Sequence, residues 1–427
     1  MALACGRQII SNNLTMKNPK APTRLHYGFI IVGCCCLMMG INVGLTFSCA
    51  GIFYQPVSAA LGVPVGEFGI YMSVMYVTST LMLSVAGSML ERWSARWLFT
   101  LNSALMGCTF LAMSLFSRVW EFYIAGGVLG VTLAFLLYLS FPTLVNRWFK
   151  SRIGMMIGIC SAASGIGGMI FNPMAGWIIS QYGWRWGYAA FGLVILLTVT
   201  PLLAILLRDR PQDIGLLPYG EKDAADSPRN SAPTTATGTP YTKALRMPAF
   251  YLTLLFAFLM MGASTLNLFI PNYVTDHGFS LEQASLTAAA VMAGVTVGKI
   301  ALGYINDRNC LAGVAVTTFS GIGGLLAIIC CGGSFLMILS GAFLFGWAYA
   351  GVTVQSAMLT RTIFGPRDYA RIYSNISVAL AAGGALASGG WGLLADATSF
   401  RFIFLTGAAV LAVCAIAGAA GLVRRRN

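Results

Sequence analysis

Apolar runs of about 20 residues, the length a helix needs to cross the hydrocarbon core of a bilayer, recur through this chain from Tyr27 onward. Inside lipid the backbone has no water to bond, so only helices and closed barrels can span it. The runs are continuous and lack the period-two alternation of barrel strands, so they read as helices. We place twelve spans at 27–53, 67–89, 97–116, 122–145, 153–180, 187–207, 250–273, 283–305, 312–331, 334–358, 372–395 and 401–423. The chain is 57% hydrophobic and 9% charged, too little charge to cover a soluble domain of 427 residues. The first 26 residues are polar and mildly basic, so no cleavable leader is expected and the first apolar stretch stays as a helix.

The net charge of +13 raises the question of a nucleic-acid partner. The cations instead occupy short loops between apolar runs, where they act as orientation signals. With the N-terminus placed in the cytoplasm, 22 Lys and Arg fall inside and three, Arg118, Arg185 and Arg401, fall outside. Both termini are therefore expected in the cytoplasm of a plasma (inner) membrane, and no nucleic acid is expected as partner. One cation, Lys299, belongs to neither set.

The organisation expected is a tail at 1–26, a six-helix bundle at 27–207, a cytoplasmic linker at 208–249, a second bundle at 250–423 and a tail at 424–427. The linker's "EKDAADSPRNSAPTTATGTP" is polar, poor in apolar residues and unable to bury a core. The halves repeat at one offset. Glu91–Arg92 and Asp307–Arg308 are 216 residues apart, as are Arg185 and Arg401, and Gly167–Gly168 and Gly383–Gly384. An all-α membrane protein of twelve transmembrane helices in two pseudo-symmetric six-helix bundles follows, a common transporter architecture.

All thirteen acids lie in loops or at span ends, as do His26 and His277, so no relay of embedded carboxylates is available. The eleven cysteines are mostly embedded, form no CxxC pair and read as small packing residues. No metal and no cofactor is expected. Nor is an enzyme, since no embedded cluster offers acid–base or metal chemistry.

Lys299 then stands apart, eight residues before Asp307 and well inside a span. It could snorkel towards the interface, lie buried and neutral, or face a water-filled cavity as a cation. A charge in lipid costs at least ~2.5–3.5 kcal/mol, which a site for an anionic substrate would justify. One fixed cation suits one carboxylate, because a dianion would leave a charge unpaired. Neutral candidates to line the same site are Tyr138, Tyr349 and Asn267 near span centres, with Asn42 in the first span; each could equally bond a neighbouring helix. "SGIGG" at Ser164–Gly168 and "AAGG" at Ala381–Gly384 read as close helix packing.

"GSMLERWSAR" resembles the loop motif between the second and third helices of the major facilitator superfamily, through Gly87, Glu91, Arg92 and Arg96, with Glu91 replacing the usual aspartate. "GYINDR" is its repeat through Gly303, Asp307 and Arg308. The resemblance covers nearly the whole chain and implies a lock at the cytoplasmic gate. Three longer stretches, "YGFIIVGCCCLMMGINVGLTFSCAGIFYQPV", "NRWFKSRIGMMIGICSAASGIGGMIFNPM" and "YGWRWGYAAFG", are similar to the monocarboxylate porters and oxalate–formate antiporter relatives. That group carries a carboxylate-binding basic residue in its eighth helix, a position Lys299 matches. Its tenth-helix aromatics correspond to Phe345 and Tyr349.

Two departures bear on coupling. Val295 stands where proton-coupled carriers have an acid, and Phe47 where their first helix has a lysine. "SVALAAGGALA", Ser377–Ala387, lacks the second cation of oxalate exchangers. The expected function is alternating-access transport of a small organic monoanion, a monocarboxylate or hydroxy acid, by proton symport or anion exchange. A monomer in the lipid bilayer is expected. The alternative is a superfamily exporter of hydrophobic drugs or other small metabolites; the lack of an embedded acid argues against cationic substrates.

Overall fold

The computed structural model describes residues 26–220, 238–330 and 334–424, apart from the side chains of Ser84, Glu91 and Ala370. Twelve helical spans follow one another: α1 Tyr27–Leu61, α2 Val65–Arg92, α3 Ala95–Met113, α4 Val119–Trp148, α5 Ile153–Tyr182, α6 Trp184–Leu206, α7 Pro248–Asp276, α8 Leu281–Arg308, α9 Cys310–Cys330, α10 Phe335–Phe364, α11 Tyr369–Ala397 and α12 Phe400–Val423. Ten are long and apolar enough to cross a membrane by length and composition. α2 and α3 carry more hydroxyl and amide side chains, among them Ser73, Thr78, Ser79, Asn102 and Ser103, and complete the twelve. Most helices overrun the apolar limits read from sequence. A hydropathy limit marks where the hydrocarbon ends, whereas the helix continues into the interface and closes on polar residues such as Arg92 or Arg308.

The repeat read from three residue pairs extends to whole helices. α2 and α8 are both 28 residues long and start 216 residues apart, at Val65 and Leu281. α5 and α11 start at Ile153 and Tyr369, and α6 and α12 at Trp184 and Phe400, with the same offset. Across the two halves α2 packs on α11 and α5 packs on α8. These two seams exchange under the repeat, which is what a pseudo-two-fold axis between the bundles requires.

Several of the spans depart from α geometry along their length. α1 widens into a π-helix over Met38–Ser48, α4 over Ala134–Leu139 and α6 over Ile195–Val199; α7 tightens to a 3-10 turn over Thr265–Leu268, and α10 is interrupted at 352–353. Such irregular backbone is concentrated at functional positions in helical proteins. α1 and α7 cross here. A Cβ on Gly51 would lie 2.9 Å from the Leu268 Cα, so only glycine allows this approach.

The flanks of the linker are held by the bundles. The Tyr219 N–H donates to the Trp148 carbonyl at 2.8 Å, and the Lys150 N–H donates to the Tyr219 carbonyl at 2.9 Å. The rings of His26, Phe29 and Phe149 surround Tyr219. On the other flank the Tyr241 N–H donates to Asp368 Oδ2 at 2.7 Å. The linker stretch 221–237 lies outside the described residues, as do 1–25 of the N-terminal tail and 425–427 of the C-terminal one.

Candidate functional site

The α5–α8 seam is written into α5 as small residues at helical spacing. Ser161, Gly165, Gly168 and Gly176 share one face. A Cβ on Gly165 would lie 3.2 Å from the Met292 carbonyl oxygen, and one on Gly176 would lie 3.3 Å from that of Leu281. The helices therefore run antiparallel in close contact, from Gly176 against Leu281 to Ser161 against Lys299. The glycine pairs read as packing devices are packing devices: Gly167 meets Gly40 of α1, and Gly383 meets Phe258 of α7.

Lys299 closes this seam at its basic end. It is half-buried, and its ammonium crosses from one bundle to the other. Nζ donates to the Ser161 carbonyl at 3.0 Å and lies 3.3 Å from Ser161 Oγ and 3.4 Å from Ser164 Oγ. Among the described residues it has no carboxylate partner, so the charge is met by three neutral oxygens. Beyond Lys299 towards the basic face, the Cβ positions of Gly154, Gly158 and Gly303 have no atom within 4 Å. The repeat partner of Lys299 on α2 is Leu83. The fold thus builds the equivalent seam without a cation.

The second seam supplies aromatic groups. A Cβ on Gly384 of α11 would lie 3.0 Å from the Tyr76 ring of α2, and the Phe47 ring of α1 lies 5.4 Å from the Tyr76 ring between centroids. Tyr76, Tyr138 and Tyr349 lie close enough to interact electrostatically, and Ser79 is beside Tyr138. Tyr138 is 37% exposed. Tyr138 of α4 and Tyr349 of α10 thus come from opposite bundles, and Tyr349 is half-buried. Asn267 sits in the 3-10 turn of α7, largely buried.

Asn42 and Phe345 are fully buried within single bundles. The Asn42 amide donates to Ser103 Oγ of α3 at 3.0 Å, and its Oδ1 has no partner. Phe345 lies where α10 crosses Gly324 of α9. Ser161 and Ser164 are the additions that sequence reasoning lacked. Their signal was their place on the small-residue face of α5, which identifies a contact face but not the side chain opposite.

At the face away from the basic loops the bundles are tied together. The Gly66 N–H donates to Asp396 Oδ2 at 2.7 Å, and Ser180 Oγ donates to Glu282 Oε1 at 3.0 Å. These two bonds are repeat partners, since Gly66 and Glu282 are 216 apart, as are Ser180 and Asp396. Thr275 Oγ1 also donates to Gln55 Oε1. On the basic face no hydrogen bond or ion pair joins the gate-motif residues of the two halves among the described residues. Arg96 donates to the Ala204 carbonyl, Arg308 stacks on Tyr304 at 3.5 Å, and Asp307 is exposed. Gly87 and Gly303 have open space, and the Glu91 side chain lies outside the described residues. The described bonds thus tie the bundles together on the face away from the basic loops, and Lys299 ties them again further towards the basic face.

An apolar recess of ≈ 310 Å³ between α7, α11 and α12, lined by residues including Phe258, Gly262, Gly383, Leu386 and Trp391, contains none of these polar groups. Among the described residues no group of three or more His, Cys, Asp or Glu side chains could hold a metal ion.

Two six-helix repeats packed along two seams are an architecture common among membrane transporters. The chain belongs to the Major Facilitator Superfamily, whose profile it matches over residues 35–330. Among its relatives, the probable transporter MCH2 of Saccharomyces cerevisiae is 24% identical over 228 residues, which is 51% of this chain and 43% of the yeast protein. The monocarboxylate transporter 12 of Xenopus laevis is 25% identical over 323 residues, 71% of this chain and 67% of that protein. The MFS-type transporter pytF of Aspergillus terreus is 23% identical over 226 residues, 52% of this chain and 69% of the other. The chain thus spans less than half the length of the yeast relative.

Solved structures share the fold. A bacterial homologue of the human lysosomal transporter Spinster, in an inward-facing and occupied conformation, superposes with a TM-score of 0.72 at 14% identity, covering 94% of this chain and 97% of that one. The nucleoside transporter NupG gives 0.67 at 14% identity, covering 93% and 99%. The family and these relatives are transporters, not enzymes.

Proposed function

We propose that this transporter carries a small organic monoanion, a monocarboxylate or hydroxy acid, with Lys299 as the anchor for the carboxylate. One observation carries the reading: a half-buried ammonium crosses the inter-bundle seam, faces neutral oxygens alone among the described residues, and occupies a place where the other half of the repeat has Leu83. A cation so placed lowers the cost of bringing an anion out of water, and a single cation balances a single negative charge. The monocarboxylate transporter among the relatives points the same way.

In this mechanism the substrate enters from the basic face and its carboxylate displaces Ser161 and Ser164 from the ammonium. The two bundles then rock about the bound anion, opening the seam that holds Gly66–Asp396 and Ser180–Glu282 while closing the other. Tyr138, Tyr349 and Asn267 trim specificity through the hydroxyls and amide they offer. The face rich in Arg and Lys is the cytoplasmic one, in a plasma or inner membrane. Coupling is anion exchange or proton symport, with no embedded carboxylate to serve as proton carrier.

Uptake by proteoliposomes across a panel of monocarboxylates, dicarboxylates and cationic dyes tests the reading. Saturable uptake of one or more monocarboxylates, with dicarboxylates and dyes excluded, is expected. Saturable uptake of the dyes alone would establish the rival, an exporter of hydrophobic drugs.

A further inference from the structure

We propose that a recess on the basic face of the N-terminal half binds the phosphate group of an anionic lipid headgroup. The recess, of ≈ 320 Å³, lies where the end of α2, the end of α4 and the chain leaving α6 converge. Arg92, Arg147 and Arg210 line it, with Leu90, Trp93 and Asp213. The site is separate from Lys299 and does not rest on the monoanion reading.

The two carboxylates of the lining are turned to backbone. Asp209 accepts from the Ala95 N–H at 2.9 Å and from the Arg96 N–H at 2.7 Å, capping α3. Asp213 Oδ2 accepts from the Arg210 N–H at 3.0 Å. Among the described residues the guanidiniums have few partners: Arg147 reaches the Leu90 carbonyl at 3.5 Å, and neither the Arg92 nor the Arg210 side chain has a hydrogen-bond or ion-pair partner. A guanidinium presents a planar fork of donors that matches a phosphate, and it stays charged at any physiological pH.

Two further observations favour a lipid over a soluble anion. Trp93 and Trp97 are 62% and 57% exposed beside the recess, and exposed tryptophans of this kind sit at the headgroup level of a bilayer. Basic pockets between helix ends on the cytoplasmic side are the sites where anionic headgroups dock. The recess is also no by-product of the duplicated fold. The repeat partner of Arg147 is the buried Ile363, and that of Arg92 is Arg308, which is stacked on Tyr304.

The test uses the full chain, purified in a neutral detergent, with three probes: dioctanoyl phosphatidylglycerol, dioctanoyl phosphatidylcholine and inorganic phosphate. The double variant Arg147→Gln/Arg210→Gln is expected to bind the phosphatidylglycerol at least about tenfold more weakly than the parent, in line with the loss of one or more charge-assisted contacts. The phosphatidylcholine should bind neither protein measurably, and millimolar phosphate should not compete. Arg210→Gln alone, on an exposed turn, carries the same expectation of about tenfold should the double variant not fold. Equal phosphatidylglycerol affinity in parent and folded variant overturns the site, leaving these arginines as orientation signals only. Phosphate that competes as well as the lipid, with the same dependence on Arg147 and Arg210, overturns the lipid as its source.

Discussion

Lys299→Gln should abolish saturable uptake of the transported carboxylate in proteoliposomes while the protein remains folded and monodisperse. The substitution removes a charge-assisted hydrogen bond worth about 1.5–3 kcal/mol, which corresponds to a roughly 10- to 150-fold loss of binding. Gln keeps a donor for the Ser161 carbonyl, and the ammonium's bonds to Ser161 Oγ and Ser164 Oγ, at 3.3 and 3.4 Å, are long ones. Folding should therefore change little. Lys299→Arg should retain part of the activity, because the charge survives while the ammonium's compact geometry does not. A lysine that merely snorkels would give near-normal uptake in Lys299→Gln.

The second large effect concerns the crossing of α1 and α5. A Cβ on Gly167 would lie 2.8 Å from the Gly40 Cα, a distance backbone cannot accommodate without shifting a helix. Gly167→Val should lower the stability of the purified protein by ~1–3 kcal/mol or more, read as a lower thermal midpoint. Gly303→Ala is the matched control, since nothing lies within 4 Å of its added methyl. It should leave the midpoint unchanged or raise it slightly, as expected for replacing glycine inside a helix. Equal midpoints for parent and Gly167→Val would mean that the crossing is looser than the structure has it.

How far the sequence carried this picture differs by level. Periodicity and charge placement were enough for the twelve helices, and three residue pairs at one offset were enough for the repeat, because duplication leaves its mark in linear distance. The isolation of Lys299 was legible for a similar reason: an embedded charge is costly, so a single one draws notice. Its partners were not legible. Ser161 and Lys299 are 138 residues apart, and only the register of α5 against α8 brings them together. The burial of Asn42 against Ser103 and of Phe345 at Gly324 was hidden likewise, since a polar or aromatic residue in a span carries no record of which way it faces. The flanks of the linker also escaped. Tyr219 sits in a stretch too polar to form a core of its own, yet backbone bonds to residues 148 and 150 fix it to the N-terminal bundle.

The claim that Lys299 pairs with the substrate's carboxylate is tested most directly by a double-mutant cycle in binding. Four affinities are measured: a transported monocarboxylate and its neutral carboxamide, each against the parent and Lys299→Gln. The cycle isolates the interaction between the ammonium and the carboxylate from everything else that either change perturbs. A coupling of about 1.5–3 kcal/mol is expected, with the carboxamide nearly indifferent to the substitution. A coupling of zero, with carboxylate and carboxamide weakened alike or not at all, would contradict the account.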